Sequence, residues 1–140
     1  MTPPSEPLLE LRGLSVTRQT AEGALTVLQG IDLSLHPGQW LALLGANGSG
    51  KSSLLEYLAS GEFSGSDRVA IVFQDPDDQL IAATVDRELT LGRPGLGTGP
   101  WLKEFGLEGL AGRNPRQLSA GQKQRLTMAV ALTARPQVLL

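Results

Sequence analysis

The stretch Gly45-Ala-Asn-Gly-Ser-Gly-Lys-Ser52 decides the fold, because it matches the pattern G-x-x-x-x-G-K-[ST] of a phosphate-binding loop. That pattern carries weight only between a strand and a helix. Residues 40–44, directly before the loop, form a continuous apolar run of the kind expected for a strand buried on both faces. Leucines recur at helical spacing after the loop, at Leu54, Leu55 and Leu58. The order of strand, glycine-rich loop and helix therefore predicts a phosphate site.

The residue types of this loop suit the binding of a polyphosphate. Glycines let the loop adopt positive φ and bring backbone N–H groups around a β-phosphate, while the following helix N-terminus supplies a favourable dipole. Lys51 is expected to bridge β- and γ-phosphate oxygens, and the Ser52 hydroxyl is expected to bind Mg²⁺. The alternative is a glycine-rich turn with an exposed lysine, which the flanking strand and helix disfavour.

A second candidate anion site lies before the longest predicted helix, residues 120–134. The sequence there is Leu118-Ser-Ala-Gly-Gln122, so Ser119 and the Gly121 N–H lie where a helix N-terminus can receive a phosphate. Ser119 and Gln122 also fit a capping box, and the two interpretations do not compete. Two anion sites in one small chain suggest two halves of a composite site.

Composition excludes several classes of protein. The 140 residues include 12 Lys+Arg and 14 Asp+Glu, a formal net charge of −2, so no nucleic-acid partner is predicted. Cysteine is absent, which excludes a disulfide framework and a thiolate metal site. Residues 1–7 lack the features of a signal peptide and are interpreted as a disordered tail. A cytoplasmic protein is therefore expected. No apolar stretch approaches the roughly 20 residues that cross a bilayer, so any membrane role is expected to be peripheral.

The remaining pattern predicts an α/β fold in one partial domain, residues 8–140. Alternating apolar residues predict an antiparallel strand pair, buried runs predict further strands, and a segment broken by glycine and proline predicts a small helical insertion. The predicted elements are the strands 8–18, 24–36, 69–73 and 138–140 and the insertion at about 84–118.

These motifs together resemble those of the nucleotide-binding subunit of ATP-binding-cassette (ABC) transporters. Residues 45–52 resemble its Walker A loop, Gln74 its Q-loop, and residues 118–122 its LSGGQ signature. The segment Val72-Phe-Gln-Asp-Pro-Asp-Asp-Gln-Leu80, followed by Ala83-Thr-Val85, is similar to the energy-coupling-factor type, whose members power the uptake of vitamins and of metal ions such as cobalt or nickel. Another soluble P-loop NTPase, such as a kinase, has no use for residues 118–122 in this position.

The resemblance implies an ABC-type P-loop ATPase with an N-terminal antiparallel β subdomain and a helical insertion. ATP bound by one subunit is touched by the signature motif of a second ABC ATPase subunit, in a homo- or heterodimer. Lys51 and Gln74 are the implied catalytic residues, and Ser52 and Gln74 the implied Mg²⁺ ligands. The implied ATP-binding residues are Gly45, Ala46, Asn47, Gly48, Ser49, Gly50, Lys51, Ser52 and Ser53. The implied signature residues are Leu118, Ser119, Ala120, Gly121 and Gln122.

The same resemblance implies an integral membrane transport subunit as partner, and a location at the inner face of the cell membrane. Gln74 is expected to report the occupancy of the ATP site to that partner through the adjoining loop and the helical insertion. Trp101 in the insertion either packs in the core or faces the partner, whereas Trp40 is expected in the core.

The sequence departs from the family pattern in several places. After Gln137-Val-Leu-Leu140 the family continues with a Walker B Asp, a catalytic Glu and a switch His, and the chain has none of these. We therefore expect a truncated sheet, poor stability and little or no ATPase activity of the isolated chain. The alternative function is a non-hydrolysing nucleotide-binding remnant that associates with a complete paralogue. Ala120 replaces the usual first glycine of the signature.

Two further departures concern the base and the sheet. The interval from Lys51 to Gln74 is 23 residues, shorter than is typical of the family, so the strand pair usually found there is reduced. No aromatic residue occurs from Leu8 to Leu35, where the family places an adenine-stacking side chain. Arg18 lies near that position, where it either stacks on the base by its guanidinium plane or is an exposed charge at a strand end.

Overall fold

The structure is a computed structural model that describes residues 6–21, 23–60 and 69–140. It divides into two compact units. The first runs to Val69 and includes Leu140, and the second runs from Ala70 to Leu139. Most of the predicted tail, residues 1–5, lies outside the described residues, while Glu6 and Pro7 precede the first strand without regular structure.

The first unit begins with a long β-hairpin. Strands β1 (Leu9–Thr20) and β2 (Gly23–Leu35) pair antiparallel, with Leu9 opposite Leu35 and Thr20 opposite Gly23. The register shifts three times between Leu11 and Thr17, which is typical of β-bulges. The hairpin confirms the predicted antiparallel strand pair.

A single amphipathic helix follows in the same unit. Helix α1 (Lys51–Ser60) buries Leu54 and Leu58 and packs against β2. These two leucines are four residues apart, so they lie on one face of the helix. The helical spacing after the phosphate loop is therefore confirmed.

The prediction of a buried strand at residues 40–44 is wrong. These residues form no strand, Trp40 is 99% exposed and Leu44 is 90% exposed, so Trp40 is not in the core. A buried strand requires neighbours that pair with its backbone and layers that cover both faces. Within the described part of the chain, no strand pairs with residues 40–44. An apolar run indicates residues that favour burial, but in this structure residues 40–44 remain exposed.

The strand predicted at residues 69–73 is only partly formed. Strand β3 (Val69–Ala70) pairs with β4 (Val138–Leu139), which confirms an apolar strand at 138–140, while residues 71–73 have no regular structure and Phe73 is 41% exposed. Because β3 and β4 pair over only two residues each, residues 71–73 have no neighbouring strand with which to continue the backbone hydrogen bonds.

The second unit is a helical cluster around one apolar core. Its helices are α2 (Val85–Thr90), α3 (Gly99–Glu104) and α4 (Ala120–Thr133). One 3₁₀ turn, Pro76–Asp78, precedes α2, and another, Pro115–Gln117, lies between α3 and α4. Helices α2 and α3 are short helical pieces of the predicted insertion. Leu80, Val85, Leu89, Leu102, Leu107, Leu118, Leu126 and Ala129 form the core.

Trp101 packs against this core rather than standing in solvent. It is partly buried, and its ring stacks on that of Phe105 with 6.3 Å between centroids and 22° between planes. Core packing, one of the two alternatives for Trp101, is therefore what the structure shows.

Helix α4 is defined at both ends by local contacts. At its start, Ser119 Oγ accepts from Gln122 N at 3.3 Å and Gln122 Oε1 accepts from Ser119 N at 2.9 Å, which is the predicted capping box. At its end, Ala134 is the C-cap and Arg135 adopts a φ of 51°. That left-handed residue and the following Pro136 stop the helix.

The core of the second unit can be tested at Leu126, which is fully buried in α4. Leu126→Ala is expected to lower the free energy of unfolding by about 2–5 kcal/mol, because it removes buried methyl groups and leaves a cavity. Met128→Ala on the same helix is the matched control, since Met128 is 39% exposed and its truncation should cost less than about 1 kcal/mol.

Urea unfolding followed by Trp101 fluorescence measures both values in a Trp40→Phe background, which removes the exposed indole. Equal losses of stability in the two variants would contradict this assignment of the core.

Candidate functional site

The phosphate loop ends where helix α1 begins. Leu54 N donates to Gly50 O at 2.9 Å, and this bond closes the first turn of the helix directly after the glycine. The amides of that first turn have no acceptor within the helix, so they are available to an external anion. The helix dipole adds a partial positive charge at the same end.

Gly50 is the residue on which the loop geometry depends. Its φ is 87°, and a Cβ at this position would lie 2.8 Å from Leu28 Cδ2 and 3.0 Å from the Val27 carbonyl oxygen. The loop therefore passes β2 too closely for any side chain. Gly48 also has a left-handed φ of 81°, but a Cβ there would meet open space.

The Lys51 ammonium group is held over its own loop. Lys51 Nζ donates to Gly45 O at 2.9 Å and to Ala46 O at 2.7 Å, and it lies 3.4 Å from Ser49 Oγ. A cation fixed over a loop whose amides accept anions is the arrangement that phosphate binding requires. The structure places the Lys51 ammonium group against the loop carbonyls. The predicted bridge from Lys51 to phosphate oxygens stays a prediction.

Ser52, the predicted magnesium ligand, is exposed in the first turn of α1. In residues 6–21, 23–60 and 69–140 no three histidine, aspartate or glutamate side chains converge into a metal site. A single hydroxyl nevertheless suits Mg²⁺ bound with a nucleotide, since this ion keeps several waters and takes few protein ligands.

Arg18, the predicted adenine contact, is near the end of β1 and forms an ion pair with Glu56 of α1. Half of its side chain remains exposed. The guanidinium plane is therefore anchored at one edge of the first unit by a carboxylate.

Gln74, the predicted Q-loop residue, is exposed in the second unit on a segment that a neighbouring side chain immobilises. The carboxamide of Gln79 accepts from Phe73 N at 2.8 Å and donates to Ile71 O at 3.0 Å. Those two backbone groups lie on the same side of an extended chain. Gln79 thus pairs with residues 71–73 as an adjacent strand would, directly before Gln74.

The turn after Gln74 is fixed by two carboxylates. Asp75 Oδ1 accepts from Asp77 N at 2.9 Å and caps the 3₁₀ turn. Asp77 in turn binds the Lys123 ammonium group of α4, at 2.7 and 2.8 Å to its two oxygens. The turn is therefore attached to the helix that follows the predicted signature motif.

The signature residues lie at the N-terminus of α4. Leu118 is buried in the core, whereas Ser119, Ala120 and Gly121 are exposed and Gln122 is half-buried. One end of the motif anchors the helix while the other presents its first turn to solvent. That first turn carries the partial positive charge of the helix end.

A cleft of about 610 Å³ opens beside α2. Its lining residues are Ala82, Ala83, Arg87, Thr90, Leu91, Gly92, Pro94 and Gly95. Below it, the buried Glu88 accepts from Ala82 N at 2.6 Å and so ties the chain between the 3₁₀ turn and α2 to that helix. Leu91 is 48% exposed, and Ile81, next to Ala82 in the chain, is 74% exposed.

Sequence reasoning missed Gln79, Glu88 and the Asp77–Lys123 pair. Gln79 and Asp77 lie within the segment that resembles energy-coupling-factor ATPases, but a glutamine or an aspartate at these positions does not by itself indicate a structural role. A polar side chain next to an apolar run was the available signal for Gln79. No signal of short range exists for Lys123, which is 46 residues from Asp77.

No helix among the described residues is both long and apolar enough to traverse a lipid bilayer.

Comparison with known proteins finds a consistent similarity. The family model for ABC transporters matches residues 28–87. The energy-coupling factor transporter ATP-binding protein EcfA1 of Symbiobacterium thermophilum is 34% identical over 96% of this chain and 59% of its own length. The nickel import ATP-binding protein NikO of Rhodobacter capsulatus is 36% identical over 96% of the chain and 65% of its own length. The chain thus spans about three fifths of the length of these curated relatives.

A solved structure supports the same relationship. The structure of cbiO1 from Clostridium perfringens, part of the ABC transporter complex cbiONQ, matches with a TM-score of 0.74 and 28% identity. The match covers 96% of this chain and 64% of that one. The alignment with the Symbiobacterium protein runs over 169 positions against 140 residues here, so that relative has residues within the aligned range that this chain lacks.

The loop geometry gives a stability test at its glycines. Gly50→Ala should cost more than Gly48→Ala by roughly 1–3 kcal/mol, because both demand a positive φ but only position 50 is crowded by Leu28 and Val27. The difference in midpoint of chemical unfolding between the two variants measures it. Equal destabilisation would show that Gly50 does not approach β2 in solution.

Proposed function

The chain belongs to the ATPase domains of ABC transporters, and from that premise we propose that it binds MgATP and couples this binding to the work of a membrane transport subunit. The observation that carries the proposal is the phosphate loop, in which Lys51 Nζ lies 2.9 and 2.7 Å from two loop carbonyls directly before the N-terminal turn of α1. ATP phosphates would take the place of those carbonyls as partners of the ammonium group.

The residues of the loop fit a nucleotide with its metal ion. Gly50 leaves no room for a side chain where the loop passes β2, and the backbone therefore forms the floor of the site. In the proposed complex the amides of residues 48–52 bind the phosphates, and Ser52 binds Mg²⁺, which neutralises phosphate charge. Lys51 orients the terminal phosphate by its charge.

The signature motif supplies the second half of the proposed site. Ser119 and Gly121 are exposed at a helix end that favours anions, so they are suited to touch ATP bound to another ATPase subunit. Because the first turn of α4 is capped by its own Ser119 and Gln122, it is ordered before any partner arrives. A second copy or a related subunit would then bind head to tail.

The transporter type that we propose is the energy-coupling-factor type. Its support is the name and 34% identity of the Symbiobacterium relative and the structural match to cbiO1. The nickel importer similarity favours the same class of small cargo, a vitamin or metal ion. Such a subunit works at the inner face of the membrane.

We place the contact with the membrane subunit at the cleft beside α2. Leu91 lines it and the exposed Ile81 adjoins it in the chain, and single apolar side chains of this kind suit a short helix of a membrane protein. The cleft follows Gln74 along the chain, and the Glu88 bond to Ala82 holds one of its lining residues against α2.

ATP binding is tested at Lys51. Lys51→Ala should weaken MgATP binding at least about tenfold, because it removes charge-assisted bonds to the phosphates. Lys103→Ala, on the exposed face of α3, is the matched control and should bind as the unchanged chain does. Isothermal titration calorimetry measures both affinities, and equal binding by the two variants would refute the proposed site.

Measuring ATP turnover in the same samples distinguishes an ATPase from a chain that binds the nucleotide without hydrolysing it. The 140-residue chain has no acidic residue after Glu108 that could act as Walker B or catalytic carboxylate. From these 140 residues alone we expect MgATP binding that depends on Lys51, and no phosphate release that depends on Lys51. Lys51-dependent release of phosphate would instead establish that the chain hydrolyses ATP by itself.

The docking site is tested with Leu91→Asp. A charge in an apolar contact should lower the recovery of a co-expressed integral membrane transport subunit at least about fivefold when the two are co-purified in detergent. Leu25→Asp is the matched control, because Leu25 is also exposed, at 55%, but lies on β2. Equal recovery with both variants would place the membrane contact elsewhere.

A further inference from the structure

Beyond the site residues themselves, the second unit contains an ion pair that joins two of its functional elements. Lys123 Nζ lies 2.7 and 2.8 Å from the two carboxylate oxygens of Asp77. Asp77 belongs to the turn that follows Gln74, and Lys123 follows the signature residues directly in α4. We propose that this pair is a positioning contact, which makes the Gln74 loop and the signature end of α4 move as one body; the proposal rests on the function proposed above.

The position of Lys123 near the start of α4 favours its pairing with a carboxylate. A lysine in the first turns of a helix opposes the positive end of the helix dipole. Lys123 nevertheless keeps only 16% of its side chain exposed, against 55% for Asp77. The contact with both carboxylate oxygens of Asp77 offsets the unfavourable position of this cation at the helix end.

The loop side of the pair is rigid enough to transmit motion. Gln79 fixes residues 71 and 73 with two hydrogen bonds, and Asp75 caps the turn that bears Asp77. Gln74 lies between these two anchors. Displacing Asp77 therefore moves the segment that carries Gln74.

The helix side is equally fixed. The capping box holds the first turn of α4, and Arg125 Nε donates to Phe105 O at 2.9 Å, so the helix is also tied to the end of α3. The 3₁₀ turn packs against α4 along with the ion pair. When Ser119 and Gly121 bind the ATP of a partner subunit, any movement of α4 also moves the segment that carries Gln74, because Lys123 and Asp77 connect the two.

The test uses Asp77→Asn, Lys123→Gln and the exchanged pair Asp77→Lys with Lys123→Asp. Asp78→Asn is the matched control, since it removes a neighbouring carboxylate of the same turn. Hydrogen exchange of the nucleotide-free chain is the first readout. Either single substitution should accelerate exchange at residues 73–79 and at 119–123 together, at least about threefold, and the exchanged pair should restore protection.

ATP-driven self-association of the chain, measured by sedimentation, is the second readout. Each single substitution should weaken association about fivefold while the affinity for MgATP stays within about twofold, and the exchanged pair should recover association. A contact that only stabilises the fold is not expected to weaken association while leaving the MgATP affinity unchanged, nor to be rescued by the exchanged pair.

The two readouts separate failure of the pair from failure of the proposed function. If the unchanged chain neither binds MgATP nor associates, the proposed function fails, and hydrogen exchange alone decides on the ion pair. Faster exchange confined to the element that carries the substitution, or the same change in Asp78→Asn, would overturn the positioning role. Association that persists unaltered in both single variants would overturn it as well.

Discussion

The close approach of the Gly50 backbone to strand β2 is the contact on which the first unit's site depends. A Cβ at Gly50 would lie 2.8 Å from Leu28 Cδ2 and 3.0 Å from the Val27 carbonyl oxygen, closer than van der Waals contact. The chain can therefore turn into α1 here only without a side chain. That turn sets where the first amides of α1 point and allows Lys51 to fold back onto the Gly45 and Ala46 carbonyls. The anion binding that we propose for this backbone would thus depend on a packing constraint made by an apolar leucine.

The second unit reaches a comparable rigidity by different means. Residues 71–73 continue an apolar run but have no strand ladder, and the carboxamide of Gln79 supplies their backbone with partners instead. Side-chain bonds of this kind depend on a few residues, whereas a ladder spreads the same function over many. The loop that carries Gln74 is therefore more sensitive to single substitutions than a strand end within a full sheet would be.

How far the sequence predicts this molecule depends on the range of the interactions. The hairpin, α1 and the capped helix α4 were all predicted, because turn residues, leucine spacing and the Ser119–Gln122 pair are local signals. Residues 40–44 were predicted wrongly, since an apolar run indicates a need for burial but does not supply the neighbouring strands. The same limit applies to the site: the Lys51 loop is a contiguous pattern, whereas the Asp77–Lys123 contact spans 46 residues and depends on how the helices pack.

The exposure of Trp40 and Leu44 has a consequence for nucleotide binding. The phosphate loop is fixed on its helix side by Gly50 and Leu28, but on its other side it joins an apolar segment that no described strand pairs with. A ligand that binds only the folded loop stabilises it in proportion to the logarithm of its concentration over the dissociation constant. Bound ATP is therefore expected to stabilise the loop even though no described strand pairs with the apolar segment before it.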